Sequence, residues 1–225
     1  MSSPASGPPG NDLVDLILSR RSVRSGFASR PVPTEVLEQI VRCGLAAPSS
    51  KGGRPWRFHV VTDRELLAAC AEAMETSEGI DSYVPGSALT GEPTPGLPST
   101  VIESATVLRT VPVAIFVEDT GPFSQGRDAL LAASPEARAA VLIGYTFEVV
   151  GVGAAIENMW LAALSHGLVG VFIGDVLIAE SAVKAGLGVT ADLLGALALG
   201  YTDDATPGYR LRDGDDDGVL WHPPR

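Results

Sequence analysis

The sequence predicts an α+β domain with a mixed sheet, and three observations carry that prediction. Short apolar runs of strand length alternate with longer segments of helical periodicity, no internal repeat divides the 225 residues, and no clean linker separates one part from another. A chain of this length buries roughly 70% of the surface that its unfolded form exposes, enough for one domain.

Residues 1–10 are mostly Ser, Pro and Gly. They have neither a basic start nor an apolar run, and read as a disordered tail rather than a signal peptide or anchor. The domain then occupies 11–225. Asn11 or Asp12 caps a helix through Arg20, with Leu13, Leu16 and Ile17 on one face. After the turn at 31–33, Thr34 caps a second helix carrying Val36, Leu37, Ile40, Val41 and Leu45, and Pro48 stops it. Residues 57–62 read as a strand, and Asp63 opens a helix to about Glu75. The stretch from 77 to 106 is loaded with Gly, Pro, Ser and Thr and reads as a lid.

A buried strand follows at 111–117, with Pro112 near its start where a missing donor costs least. A second irregular stretch covers 119–134, and Ser134 or Pro135 starts another helix. The strongest helix is expected from Phe147 to Ser165, apolar on more than one side. Gly151, Gly153, Ala154 and Ala155 thin part of it, either for close packing within one subunit or for a subunit interface. Gly167 ends it. A strand at 169–173, a short helix at 179–185 and a strand at 195–201 complete the fold, before a C-terminal arm at about 203–225 whose acidic run 213–217 is a solvated loop.

A formal net charge of −11 argues against nucleic acid, which rewards excess Lys and Arg, and against anionic membranes. No run reaches the ~18 uninterrupted apolar residues of a membrane span. Cys43 and Cys70 both lie in helical segments and read as small buried hydrophobes, which suggests a reducing, cytoplasmic setting. His59, His166 and His222 are scattered and make no metal spacing. Gly151-Val152-Gly153 starts a helix without a preceding tight turn, so it is not a dinucleotide fingerprint.

Six arginines stand out against that acidic background: Arg20, Arg21 and Arg24 past the first helix, Arg54 in an early loop, and Arg210 and Arg212 near the end. Cations gathered in short motifs so far apart point to one shared anionic ligand. Arg20-Arg21-Ser22-Val23-Arg24 offers guanidinium groups that grip a phosphate with paired hydrogen bonds, although a basic helix end reads the same. Between the second helix and the first strand, Ser49 and Ser50 offer hydroxyls, and Gly52 and Gly53 let backbone amides approach a planar ligand. A plain helix-to-strand turn would use the same prolines and glycines.

Together the two segments resemble the nitroreductase family of FMN-dependent oxidoreductases. That family has an Arg-x-Ser-x-Arg/Lys element after its first helix and a Pro-Ser-Ser-x-Asn-x-Gln-Pro-Trp loop after its second. Here stand Arg20-Arg21-Ser22-Val23-Arg24 and Pro48-Ser49-Ser50-Lys51-Gly52-Gly53-Arg54-Pro55-Trp56. Ala154-Ala155-Ile156-Glu157-Asn158 through Gly167-Leu168-Val169-Gly170 is similar to the family's central helix and glycine turn. Leu199-Gly200-Tyr201 with Arg210-Leu211-Arg212 is similar to its closing Gly-Tyr and basic pair.

The resemblance implies a mixed, mainly antiparallel sheet flanked by helices, in an interlocked homodimer with two sites at its interface. Arg20, Arg21, Ser22, Arg210 and Arg212 would surround the FMN phosphate and ribityl chain, and Arg24 would lie by the pyrimidine edge. Pro48, Ser49, Ser50 and Gly52 would reach the flavin from the other subunit. Phe172, Ile173 and Gly174 would lie along the ring, with a backbone N–H directed at N5 and no side chain needed as acid or base. The implied activity is ping-pong reduction of nitroaromatic, quinone or related small acceptors, with NAD(P)H as transient electron donor. A dehydrogenase or oxidase of a small organic or natural-product substrate is one alternative. A non-catalytic flavin or F420 binder is another, motivated by Gly52 and Arg54 standing where the family has Asn and Gln.

Overall fold

The structure is a computed structural model and describes residues 12–87, 89–204 and 218–222. The expected N-terminal tail, and Arg210 and Arg212, lie outside the described residues. Helices α1 (Asp12–Ser19) and α2 (Thr34–Leu45) precede strand β1 (Trp56–Val61). Then come α3 (Arg64–Glu75), α4 (Val101–Thr110), β2 (Val113–Asp119), α5 (Arg127–Ala132), α6 (Pro135–Ser165), β3 (Val169–Ile173), α7 (Glu180–Leu187) and β4 (Asp192–Gly200).

The four strands form one sheet in the order β1-β2-β4-β3, every pair antiparallel. Among the described residues its parallel component is one bridge, from Ser22 to Gly170 of β3. Strand β2 is central and buried on both faces, which is why it reads as a continuous apolar run rather than an alternating one. Val113, Ile115 and Val117 join Ile40 of α2 and Val152, Met159 and Ala163 of α6 in one core. Ala114 and Phe116 point the other way, into a second core with Leu67 and Met74 of α3, Leu108 of α4 and Val183 of α7.

The helix starts follow their capping residues. Asp63 accepts from the Glu65 and Leu66 amides at 2.9 and 3.3 Å, and Ser134 accepts from Ala137 at 3.3 Å with Pro135 at the first helical position. The N-cap of α2 is Pro33 rather than Thr34.

Several expectations need correction. Where two helices were expected over 134–165, α6 runs unbroken for 31 residues, because Gly144 packs closely against Phe123 instead of ending a helix. The irregular stretches are shorter than expected, since 101–106 belongs to α4 and 127–132 is α5. Cys70 is buried, and burial pushes its thiol up to about 11, but Cys43 is exposed. Helix α6 is long and apolar enough to cross a membrane by length and composition, although no uninterrupted run of that size was visible. Eight of its 31 residues are buried, and among them Glu148 is fully buried by the loop between β2 and α5.

Candidate functional site

The arginine element begins where α1 ends. The Val23 amide donates to the Gly170 carbonyl at 2.9 Å beside the Ser22–Gly170 bridge, so backbone pairing fixes residues 22–23 along the outer edge of β3. Downstream, the Ala28 amide donates to the Tyr201 carbonyl at 2.8 Å, Phe27 bridges Thr202, and the Arg30 guanidinium lies 3.5 Å above the Tyr201 ring. The opening segment is thus joined to the exit of β4.

The arginine side chains are arranged around this frame. The half-buried Arg20 lies 4.4 Å above the Trp160 ring, and its Nε is 3.4 Å from Glu157 Oε1. Arg21 is half-buried and Ser22 exposed. Arg24 Nε is 3.3 Å from Glu103 Oε2 on α4. Both ion pairs are partly exposed, so each is worth little and costs little to break.

Arg24, Phe172, Ile173 and Gly174 line one cavity of about 130 Å³ with Thr100, Ser104 and Asp175. Asp175 Oδ2 accepts from Thr100 Oγ1 and Ser104 Oγ, each at 2.6 Å, and so ties the root of the 84–100 stretch to the end of β3. Glu103 and Asp175 carried no signal in the sequence, and Glu157 appeared only as part of the helix motif, because what makes each relevant here is a partner on a distant element.

The second predicted half lies elsewhere. Residues 48–55 lead into β1, and the loop is tightly wound. Lys51, Gly52 and Arg54 all have left-handed φ, at 49°, 67° and 44°, and the Arg54 amide donates to Ser49 Oγ at 3.0 Å. Pro48 and Ser49 pack against Gly151 of α6, where one expected role of that glycine, close packing within a subunit, is realised. Gly153 has open space around it and is exposed. Gly52 is exposed too and meets nothing within 4 Å, so it contributes only backbone.

Strands β1 and β3 are opposite edges of the sheet. Three strand spacings of ~4.8 Å put them about 14 Å apart, and the 48–55 loop and the Phe172–Gly174 segment lie beyond those two edges. The structure therefore brings Arg20, Arg21, Ser22 and Arg24 together with Phe172, Ile173 and Gly174, and leaves Pro48, Ser49, Ser50 and Gly52 on the far side of the same protomer. At about 130 Å³ the cavity that Arg24 lines is well below the roughly 300–1,000 Å³ of a drug-sized pocket, too small for a tricyclic ring unless another wall is added.

His59 belongs to a separate cluster. Its Nε2 lies 2.8 Å from Glu118 Oε2, and Arg57 donates to both carboxylate oxygens at 3.2 and 3.1 Å. This is a satisfied structural histidine.

A sequence model of the nitroreductase family matches residues 17–201. The chain belongs to that family. Among curated proteins, iodotyrosine deiodinase from Haliscomenobacter hydrossis is 42% identical over 64 residues, which is 28% of this chain and 28% of that protein. The stretches matched in the first curated relatives span about a third of their lengths. Among solved structures, the NADPH:FMN oxidoreductase of Vibrio harveyi in complex with NAD+ superposes with a TM-score of 0.65 at 20% identity, over 96% of this chain and 79% of that one. A BluB-like flavoprotein from Clostridium difficile 630 gives 0.67 at 22% identity, over 95% and 100%. These likenesses establish the nitroreductase fold for the chain, as the sequence motifs implied.

Proposed function

We propose that the protein is an FMN-dependent oxidoreductase that works as a homodimer, with each flavin held between the arginine element of one protomer and the 48–52 loop of the other. The observation that carries this reading is the pairing of 22–23 with Gly170, which runs the arginine element along the outer edge of β3 and puts Arg24 in one cavity with Phe172, Ile173 and Gly174, in a chain of this family. The donor set fits the cofactor: fork-shaped cations and a hydroxyl for a phosphate monoester, and an apolar strand end for a ring. The names of the Vibrio and Clostridium neighbours, an FMN oxidoreductase and a flavoprotein, support the same cofactor.

Arg20, Arg21 and Ser22 hold the phosphate and ribityl chain, joined by Arg210 and Arg212. Arg24 sets a positive charge at the pyrimidine edge, where preorganised charge favours the reduced cofactor. Phe172, Ile173 and Gly174 form the floor. Pro48, Ser49, Ser50 and the Gly52 backbone close the site from the partner and exclude water. When bound, FMN supplies hydride chemistry, alternately accepting electrons from NAD(P)H and giving them to a nitroaromatic, quinone or related small acceptor.

The dimer is supported by an apolar face on α6, where Leu142, Ile143, Phe147 and Val150 are exposed, and by exposed Leu13, Val14, Ile17 and Leu18 on α1. Apolar surface on this scale marks a covered interface. Two free cysteines and the family fold support a cytoplasmic setting. The visible spectrum of the purified protein tests the cofactor, and stopped-flow mixing with NADH and NADPH tests the donor. Protein that is yellow and bleaches with either nucleotide is expected. Colourless protein that takes up no FMN overturns the cofactor, and flavin that neither nucleotide bleaches overturns the donor.

A further inference from the structure

The loop between β2 and α5 is held by buried acids to an extent that a surface connection does not need. Glu148 is fully buried in the middle of α6. Its Oε1 accepts from the Phe123 and Ser124 amides at 2.6 and 2.9 Å, and its Oε2 accepts from Ser124 Oγ. Ser124 Oγ in turn accepts from the Gly126 amide at 3.0 Å. Asp119 accepts from Gly121 at 3.0 Å and Asp192 from the Arg127 amide at 2.6 Å. Five amide donors of the connection from 120 to 127 are thus fixed by three carboxylates and a serine.

What this strap presents is Phe123. A Cβ on Gly53 would lie 2.7 Å from Phe123 Cζ, so the ring rests directly on the 48–55 loop. Phe123 sits in turn over Gly144 of α6. Gly144, Glu148 and Gly151 are spaced i, i+4, i+7 and all three are buried. One face of α6 therefore receives the strap at its first two positions and Pro48–Ser49 at its third. Backbone strain gathers in the same place. Among the described residues the non-glycine positions with left-handed φ are Lys51, Arg54 and Gln125, two in the loop and one in the strap. Such conformations persist only where surrounding contacts impose them.

We infer that Glu148 is a positioning residue, which through Ser124 and Phe123 holds the 49–54 loop in the shape that meets the flavin. The inference rests on the assignment of that loop to the cofactor, and its test separates the two. Replacing Glu148 by an apolar residue would strand three buried donors and risk misfolding, so the variants are Phe123→Ala and Ser124→Ala, with Phe123→Leu as the conservative rescue. Amide exchange at 52–54 is measured on the flavin-free full chain, and FMN affinity by quenching of flavin fluorescence.

Phe123→Ala is expected to speed exchange at Gly52, Gly53 and Arg54 by about tenfold and to weaken FMN binding by a similar factor. Ser124→Ala should shift both in the same direction by less, and Phe123→Leu should restore most of each. Unchanged exchange in Phe123→Ala, with FMN binding normal in the wild type, overturns the inference and leaves the function standing. Faster exchange with unaltered FMN affinity also overturns it. A wild-type protein that does not bind FMN overturns the function and the inference together.

Discussion

The two halves of the candidate site are held by different physics. The arginine half is fixed by register: residues 22–23 pair with Gly170 and 27–28 with 201–202, so main-chain hydrogen bonds to the sheet position the guanidinium groups. The loop half has no such ladder. It is held by two turn bonds of its own, the Thr120 amide donating to the Pro55 carbonyl at 2.8 Å, left-handed residues, one serine hydroxyl, and the packing of Phe123 and α6 on its flanks. In the proposed dimer the first arrangement is complete within one protomer, whereas the second meets the cofactor only across the interface. Damage to the two halves should therefore look different.

The largest effect is expected at the interface. Val150→Glu places a charge on the exposed apolar face of α6, and sedimentation should show monomer with no bound flavin, because burying an unpaired carboxylate outweighs an ordinary interface contact. A variant that stays dimeric would move the interface off α6. Next comes the arginine half. Arg20→Ala with Arg21→Ala removes two charge-assisted contacts and should weaken FMN binding by roughly 100-fold or more, with the melting temperature of the flavin-free protein little changed. Arg24→Ala should act on chemistry more than on affinity, slowing flavin reduction by about tenfold to a hundredfold while FMN binding changes less than fivefold. Equal losses in both would place Arg24 at the phosphate instead.

The smallest effect is one of pH, and it belongs to the strap. Burial and the neighbouring carboxylates of Glu148 and Asp192 raise Asp119 to about 6. Its native form thus binds a proton more readily than its unfolded form, and the stability this contributes is complete below about 4 and lost as pH rises to about 6. Asp119→Asn keeps an acceptor for Gly121 and removes the charge. It should raise stability at pH 8 by about 1 kcal/mol and flatten that part of the pH profile in denaturant titrations. A variant less stable than the wild type at pH 8 would show that the Asp119 charge is favourable there.

Much of the arginine half was legible because it is a local motif at a helix end, with Gly170 and Tyr201 inside further motifs of the same family. The strands were legible where burial was one-sided or complete, as at Val169–Ile173, whose bounds match the expectation. The unbroken α6 was not, since a central glycine reads as a weak point until Phe123 is seen to occupy it. Glu148 was hidden for a related reason. An acid within an apolar helical run looks like a solvent-facing position, and nothing local reveals that Phe123 and Ser124, 25 and 24 residues earlier, donate to it. Cys43 failed as a core residue because helical spacing identifies a face without saying whether that face is covered inside one subunit.

The claim that each flavin is shared between protomers is tested most directly by mixing two inactive proteins. One carries Arg20→Ala with Arg21→Ala, the other Ser50→Glu, and each alone should retain almost no FMN. If the arginines of one copy and the loop of another form one site, refolding an equal mixture creates mixed dimers with one intact site each. The bound flavin should then approach about one for every four chains. If both halves serve the same site within one protomer, every site in the mixture is damaged and no flavin returns, which would contradict the shared site.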